Sequence, residues 1–71
     1  MIPVHVTVGM GAWIAQAKTK LIACPHVGDS IEVQGKTVMC ERVHIDEDAV
    51  FVTEVYRFQS AEAAKHYFEA E

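Results

Sequence analysis

The segment that most constrains the fold is Ala49–Phe58, with the sequence AVFVTEVYRF. Its β-branched and aromatic residues predict a β-strand. Alternation gives this strand apolar groups on both faces: Val50, Val52, Tyr56 and Phe58 on one, Phe51 and Val55 on the other. A strand that is apolar on both faces needs cover on both. We therefore expect one face to meet the core and the other to meet a closing helix or another subunit.

The small size and high apolar content of the chain favour association with a second subunit. Its 71 residues predict a single domain, residues 1–71, and 51% of them are hydrophobic. A domain of this size buries only about 60% of its unfolded surface and is marginally stable alone. Part of the apolar content must then face solvent or a partner. We expect a homo-oligomer, with a dimer as the commonest closed arrangement.

The N-terminal half contains one clear strand and one ambiguous segment. Residues 4–8, VHVTV, alternate between apolar and polar side chains and predict a half-buried strand. Thr19–Cys24 also alternates and predicts extended structure. For Ala12–Lys18, helix propensity and the preceding Gly9 and Gly11 leave two alternatives open: a helical turn, or the second arm of a hairpin with residues 4–8.

The central part reads as a hairpin. Pro25–Asp29 is a turn cluster, and the residues after it alternate through Val33. Gln34-Gly35 predicts a two-residue hairpin turn, followed by a single longer strand over Lys36–Ile45.

The last segment, AEAAKHYFEAE, predicts a helix that follows Ser60 as its N-cap. Ala61, Ala64 and Phe68 form its apolar stripe. Together these elements predict an α+β, mainly β fold: a small curved antiparallel sheet or barrel of four to five strands with a C-terminal helix.

A family resemblance accompanies this pattern. The run Pro25-x-x-Gly28-Asp29-x-Ile31-x-Val33-x-Gly35-Lys36, then Arg42-Val43 and Val50-Phe51-Val52, resembles small SH3-like β-barrel proteins. Many of those are hypothetical proteins of phages and mobile gene cassettes. The resemblance covers roughly residues 25–58. It implies an SH3-like barrel of four to five strands and brings no catalytic residue with it.

The charge balance bears on the partner. The net charge is −4 with neutral histidines, the pI is near 5.4, and Lys18 and Lys20 are the nearest approach to a basic cluster. Nucleic-acid binding needs a basic face, so the overall charge argues against it and favours a basic or cationic partner.

The sequence also bears on location. The first residues lack the basic region and the uninterrupted apolar core of a secretion signal, and apolar runs such as Ala49–Val52 are too short to span a bilayer. Two cysteines do not make a secreted disulfide framework. We expect a cytoplasmic protein with reduced thiols and no membrane association.

Four residues are candidates for metal binding: Cys24, His26, Cys40 and His44. Zinc prefers such ligands, but the chain lacks a Cys-x-x-Cys knuckle and a His-x₃-His helix. On a continuous strand, Cys40 and His44 would share a face about 13 Å apart, too far to share a metal. The same residues are candidates for a Cys/His nucleophile pair, which would also need a cleft and an orienting third group. We expect no cofactor and no catalytic residue.

The remaining candidates are apolar. Trp13 fits either the core or an interface, and the small core favours the interface. With Phe51 and Tyr56 it would line an apolar groove, near the acidic Glu41 and Glu54. The predicted interface residues are Trp13, Phe51, Val55 and Tyr56. The sequence thus predicts a non-enzymatic, homo-oligomeric module that binds a protein or a small apolar or cationic ligand. A small metal-binding protein or Cys/His enzyme is the alternative.

Overall fold

The computed structural model describes residues 1–68, which form six strands and one short helix. The elements are β1 (Ile2–Val8), β2 (Ala15–Leu21), β3 (Ser30–Val33), β4 (Lys36–Met39), β5 (Arg42–Ile45), β6 (Val50–Glu54) and α1 (Ala61–Lys65). Four strands make one sheet in the order β2-β1-β6-β5, and β3 pairs with β4 as a separate hairpin. The prediction of a small, mainly β fold with a helix after the last strand is confirmed.

The sheet differs from the predicted one in its central pairing. The pairs β1–β2 and β5–β6 are antiparallel, but β1 and β6 are parallel, with Val6 opposite Val52. Within residues 1–68, the two sheets do not close into a barrel, and there are six strands rather than the predicted four or five. Parallel neighbours need a long crossover connection, which here comprises β2 to β5.

The pairing of β1 with β2 shows that the ambiguous segment, from Ala15 onward, is the second arm of a hairpin. The register runs from Val8 opposite Ala15 to Ile2 opposite Leu21. The observed strand β2 therefore begins four residues before the strand predicted over Thr19–Cys24, and it ends three residues before the predicted end. Pairing with β1 outweighs the helix propensity of the alanines in this segment.

The predicted strand over Lys36–Ile45 is two strands, because its halves pair with different partners. The first half stays in the hairpin, where the Cys40 N–H still donates to the Asp29 carbonyl at 2.8 Å. The next residue leaves it: the Glu41 N–H donates to the Thr53 carbonyl at 3.0 Å. The Gln34-Gly35 turn is confirmed, with φ of 50° and 82° as a tight hairpin turn requires.

Strand β6 stops at Glu54, before the end of the predicted strand at Phe58. The Val55 N–H donates to the Glu41 carboxylate Oε2 at 3.1 Å rather than to a neighbouring strand. One residue further on, the carbonyl of Tyr56 accepts the N–H of Met10 from the β1–β2 loop at 3.0 Å. The chain after Glu54 is therefore attached to a loop and a side chain.

The core lies on the inner face of the four-stranded sheet. Its centre is built from valines of β1 and β6, covered by the β3–β4 hairpin and by the segment that follows β6. The buried cluster comprises Val4, Val6, Val8, Ala15, Val33, Val38, Cys40, Val50, Val52, Phe58, Ala64 and Phe68. The other face of the sheet has no cover from residues 1–68.

The helix is capped as predicted, since Ser60 Oγ accepts the Ala63 N–H at 3.1 Å. Ala64 and Phe68 of the predicted stripe are buried, whereas Ala61 is exposed. The regular helix is only five residues long. The rest of the predicted helix extends to residues 69–71, which lie outside the described part of the chain.

Candidate functional site

The uncovered outer face of the four-stranded sheet is the first candidate site, and we call it the open face. The register places ten outward side chains on it: Pro3, His5, Thr7, Gln16, Lys18, Lys20, Arg42, His44, Phe51 and Thr53. They are the alternate residues of strands whose other side chains face the valine core. Each is half-buried or exposed.

A row of four side chains crosses the open face at one level of the sheet. Lys18, His5, Phe51 and His44 lie opposite one another on β2, β1, β6 and β5. The rings of His5 and Phe51 are 5.0 Å apart between centroids and only 22° from parallel, so they stack. His44 lies on the other side of Phe51, with centroids 6.2 Å apart and a tilt of 43°. Phe51 thus projects from the centre of the row with 40% of its surface exposed.

A shallow groove lies beside this row. It has a volume of about 260 Å³, and His5, Gln16, Lys18 and Phe51 are among its lining residues. Pockets for drug-sized molecules are usually larger, about 300–1,000 Å³. The groove therefore suits one flat ring better than a whole small molecule.

The open face is basic although the chain is acidic. Lys18, Lys20 and Arg42 are three of the six lysines and arginines in the chain. Within residues 1–68, no Asp or Glu occupies an outward position of the four strands. Acidic residues flank the outward positions in sequence, at Glu41 and Asp46–Asp48 beyond the ends of β5 and at Glu54 on the inner side of β6.

A second candidate surface lies at one end of the sheet, and we call it the apolar end. It consists of five exposed large apolar side chains from the β1–β2 loop and the segment after β6: Met10, Trp13, Ile14, Val55 and Tyr56. The two segments are joined by the Met10–Tyr56 backbone hydrogen bond and by a 2.9 Å bond from the Gly9 N–H to the Glu54 carbonyl.

Gly9 determines how the loop of the apolar end folds. Its φ of +123° is one that residues with a side chain rarely adopt. A Cβ at this position would lie 2.8 Å from the Trp13 carbonyl oxygen and 3.2 Å from Phe58 Cε2. Only glycine lets the loop fold back this closely, and this close packing places Trp13 next to the segment that follows β6.

The four predicted interface residues divide between these two surfaces. Trp13, Val55 and Tyr56 belong to the apolar end, and Phe51 belongs to the open face. The predicted groove shared by Trp13 and Phe51 is therefore replaced by two separate surfaces. Tyr56 was predicted on the same strand face as Val50, Val52 and Phe58, but it lies beyond the end of β6 and is exposed. Its ring packs edge-on against that of Phe58, 4.8 Å between centroids.

Sequence reasoning missed the partners of Phe51 on the open face: His5, Lys18, Arg42 and His44. Their signal was present as polar positions in alternating strands. What the sequence did not contain was the register that sets four strands side by side and brings these residues into adjacent rows.

An ionisable group lies on the inner side of the sheet between the two surfaces. Burial raises the pKa of the Glu54 carboxyl, and the nearby Glu41 carboxylate raises it further, while the Met39 backbone acts in the opposite direction. Its Oε1 is buried and has no hydrogen-bond partner. The pKa of the Tyr67 hydroxyl is also raised, first by burial and then by Glu54. The Glu54 carboxyl is therefore more readily protonated than the carboxyl of an exposed glutamate.

The metal-ligand candidates do not assemble. Cys40 is buried in the core, whereas His44 lies on the open face, because the strand predicted to carry both is broken between them. His26 is exposed, and its backbone N–H donates to Asp29 Oδ2 at 2.9 Å. Among residues 1–68, no three His, Cys, Asp or Glu side chains are grouped closely enough to hold a metal ion.

Both cysteines are free. Burial raises the pKa of the Cys40 thiol, and Asp29 and Glu54 raise it further. A thiol in such surroundings is a poor nucleophile, because the thiolate is the reactive form.

Comparison of the chain with protein-family models, curated proteins and solved structures found no match. No helix in the described residues has the length and apolar character that a membrane span requires.

Proposed function

We propose that this protein is a non-enzymatic binding module that acts as a homodimer, associating through the apolar end and holding its ligand on the open face. The observation that carries the proposal is the presence of two separate exposed surfaces with different chemistry on one small fold. One is formed mainly by large apolar side chains, and the other contains a ring between cations and histidines.

Binding is favoured over catalysis by what the site contains. The open face provides a stacked aromatic ring and cationic side chains, which hold a ligand without changing it. The Cys40 thiol is buried and has a raised pKa, so it does not serve as an exposed nucleophile. Within residues 1–68, the metal-binding alternative has no group of three ligand side chains in its favour.

The apolar end suits a second copy of the same chain. A patch of uncharged apolar side chains is complementary to itself, as the isologous interface of a two-fold dimer requires. Trp and Tyr are the residues most often found at the energetic centre of an interface. Trp13 and Tyr56 are 43% and 46% exposed in the single chain, so each has a substantial surface left to bury.

The open face suits a ligand with a flat or apolar group. Phe51 offers a ring in a regular sheet, where its position is fixed by the pairing of β1, β6 and β5. A preorganised ring loses little conformational freedom on binding. The predicted apolar ligand fits this ring, whereas the surrounding lysines and arginine favour a negative rather than a cationic group.

Two further parts of the proposal concern the setting. Two free thiols fit a cytoplasmic, reducing compartment. The resemblance of residues 25–58 to SH3-like barrel proteins of phages and mobile gene cassettes remains a prediction, and it favours a binding role because it brings no catalytic residue.

Sedimentation velocity over a wide concentration range tests the homodimer. The expected result is a reversible monomer–dimer equilibrium that Trp13→Ala shifts toward monomer. Phe51→Ala is the matched control, since Phe51 is similarly exposed but lies on the open face. A wild-type chain that sediments as a monomer at all concentrations would refute the dimer.

A further inference from the structure

The chemistry of the open face specifies a ligand class more narrowly than the proposed function does. The side chains around Phe51 combine three features: a stacked ring pair, cations on both sides and the absence of acidic groups from the outward positions of residues 1–68. We infer that the open face binds unpaired nucleic acid, with a base against Phe51 and His5 and phosphates beside Lys18, Lys20 and Arg42. This inference rests on the proposed function in using the open face as the ligand surface.

The Lys18–His44 row is wide enough for several bases. Four neighbouring strands at about 4.8 Å spacing place Lys18 and His44 about 14 Å apart. Some four-stranded sheets that bind unpaired RNA carry aromatic rings on one face and stack about two or three bases on them. The Lys18–His44 row therefore has the width of a short single-stranded segment.

The cations of the open face lie on both edges of the sheet. Lys18 and Lys20 lie on edge strand β2, whereas Arg42 lies on the opposite edge strand β5. Phe51 and His5 lie between them on the two central strands. This arrangement puts bases over the middle of the sheet and leaves phosphates within reach of either edge, as single-strand binders require.

The groove beside Phe51 is small. Its volume of about 260 Å³ and its position beside Phe51 suit a single flat ring. A duplex presents its bases stacked and paired, so they are not free to lie against this ring. The open face should therefore prefer single strands to duplexes.

The overall net charge of −4 argued against nucleic acid, but it averages over the whole surface. Solvent and salt screen charges over about 8–10 Å at ordinary ionic strength, so a bound strand responds mainly to the charges of the open face. The remaining acidic residues limit the site to a short segment and keep its affinity modest.

Fluorescence anisotropy with short fluorescein-labelled oligothymidine and oligouridine tests the inference, using the full chain in low salt. We expect dissociation constants of roughly 1–100 µM, with a duplex of the same length at least about 10-fold weaker. The thymidine and uridine arms distinguish DNA from RNA as the preferred form of the same chemistry. A labelled polyglutamate peptide supplies negative charge without bases, and we expect it to bind at least about 10-fold more weakly.

Two variants assign the binding to the open face. Phe51→Leu keeps an apolar side chain but removes the ring, and we expect about 5- to 100-fold weaker binding of the oligonucleotides. Lys18→Gln should make the slope of log affinity against log salt shallower by about 0.7, the share of one phosphate contact on a single strand. Lys65→Gln is the matched control: its charge lies on α1, so its slope should remain that of the wild type.

The inference is overturned if polyglutamate or the duplex binds as well as the single strands, or if Phe51→Leu leaves the oligonucleotide affinity unchanged. It is also overturned if no oligonucleotide binds. In that last case a dimer seen by sedimentation, or binding of an uncharged aromatic ligand at the open face, would still support the proposed function. Failure of the nucleic-acid inference is therefore distinguishable from failure of the proposed function.

Discussion

Phe51 and Trp13 are similarly exposed, 40% and 43%, yet their surroundings differ in kind. Phe51 projects from a regular sheet between two histidines, with lysines and an arginine nearby. Trp13 projects from a loop among other large apolar side chains. Exposure alone does not distinguish an interface residue from a ligand-binding residue. The neighbours do, because they determine whether an approaching group meets charge or only apolar surface.

The two surfaces also differ in how they are built. The open face follows from strand register, so its geometry is inherited from the valine core on the other side of the sheet. The apolar end depends on one loop held by Gly9 and by hydrogen bonds to the chain after β6. A local change should therefore disturb the apolar end more easily than the open face, and the following predictions test this difference.

The largest effect is expected from Gly9→Ala. The new Cβ would meet the Trp13 carbonyl at 2.8 Å, and φ of +123° would be strained in addition. We expect the free energy of unfolding to fall by at least about 2 kcal/mol. Urea denaturation measures it. Gly11→Ala is the control: φ is +94° but nothing lies within 4 Å of the added atom, so about 1 kcal/mol is expected. Equal losses for the two variants would contradict the close-packed loop.

The next effect concerns the apolar end itself. Trp13→Ala should weaken the homodimer by about 2 kcal/mol or more, roughly 30-fold in dissociation constant, as for an aromatic residue at the centre of an interface. The measurement is sedimentation equilibrium at several protein concentrations. An unchanged dimer dissociation constant would show that Trp13 does not contribute to the interface, and it would contradict the assignment of dimerisation to the apolar end.

A smaller effect is expected for the stability contribution of Phe51. Its ring contacts His5 and His44 on neighbouring strands, and such cross-strand pairs contribute about 0.2–1 kcal/mol. Because two such pairs are lost, Phe51→Ala should lower the free energy of unfolding by no more than about 2 kcal/mol, measured by urea denaturation of the monomeric Trp13→Ala background. A loss of several kcal/mol would show that Phe51 is a core residue, and the open face would lose its central ligand contact.

The smallest effect is a pH dependence at Glu54, which lies between the last open-face residue of β6 and the apolar end. Because the folded state raises the pKa of this carboxyl, folding favours its protonated form. Its contribution to stability is therefore greatest below the pKa of the unfolded chain and is lost as the pH rises through the higher folded pKa.

Glu54→Gln should remove this dependence. The variant should gain stability relative to wild type as the pH rises from the acidic range to neutral, in urea titrations at a series of pH values. Asp48→Asn, at an exposed turn position, is the control for removing an acidic side chain. A variant that instead loses stability relative to wild type as the pH rises would contradict the raised pKa.

Local signals predicted much of the fold. The alternation of VHVTV, the Gln34-Gly35 turn and the Ser60 cap each depend on a few neighbouring residues, and each is present in the structure. The valines on the inner face followed from the same alternation. These features are readable because their physical cause lies within a short stretch of chain.

Other features depend on partners distant in sequence. The parallel pairing of β1 with β6 and the break between Cys40 and Glu41 both result from hydrogen bonding to strands distant in sequence. No local sequence pattern specifies such pairing. The open face was missed for the same reason, since its residues come from four strands. Trp13 and Tyr56 were predicted as interface candidates by their residue type, and the structure leaves both exposed.

The most direct test of the two-surface account measures both properties on both variants. Trp13→Ala and Phe51→Leu are each assayed by sedimentation for the dimer and by anisotropy for oligothymidine binding. The account predicts a crossed result: Trp13→Ala loses the dimer and keeps each chain's oligonucleotide site, while Phe51→Leu keeps the dimer and loses the oligonucleotide. If either variant loses both properties while remaining folded, the two surfaces are one, and the account is contradicted.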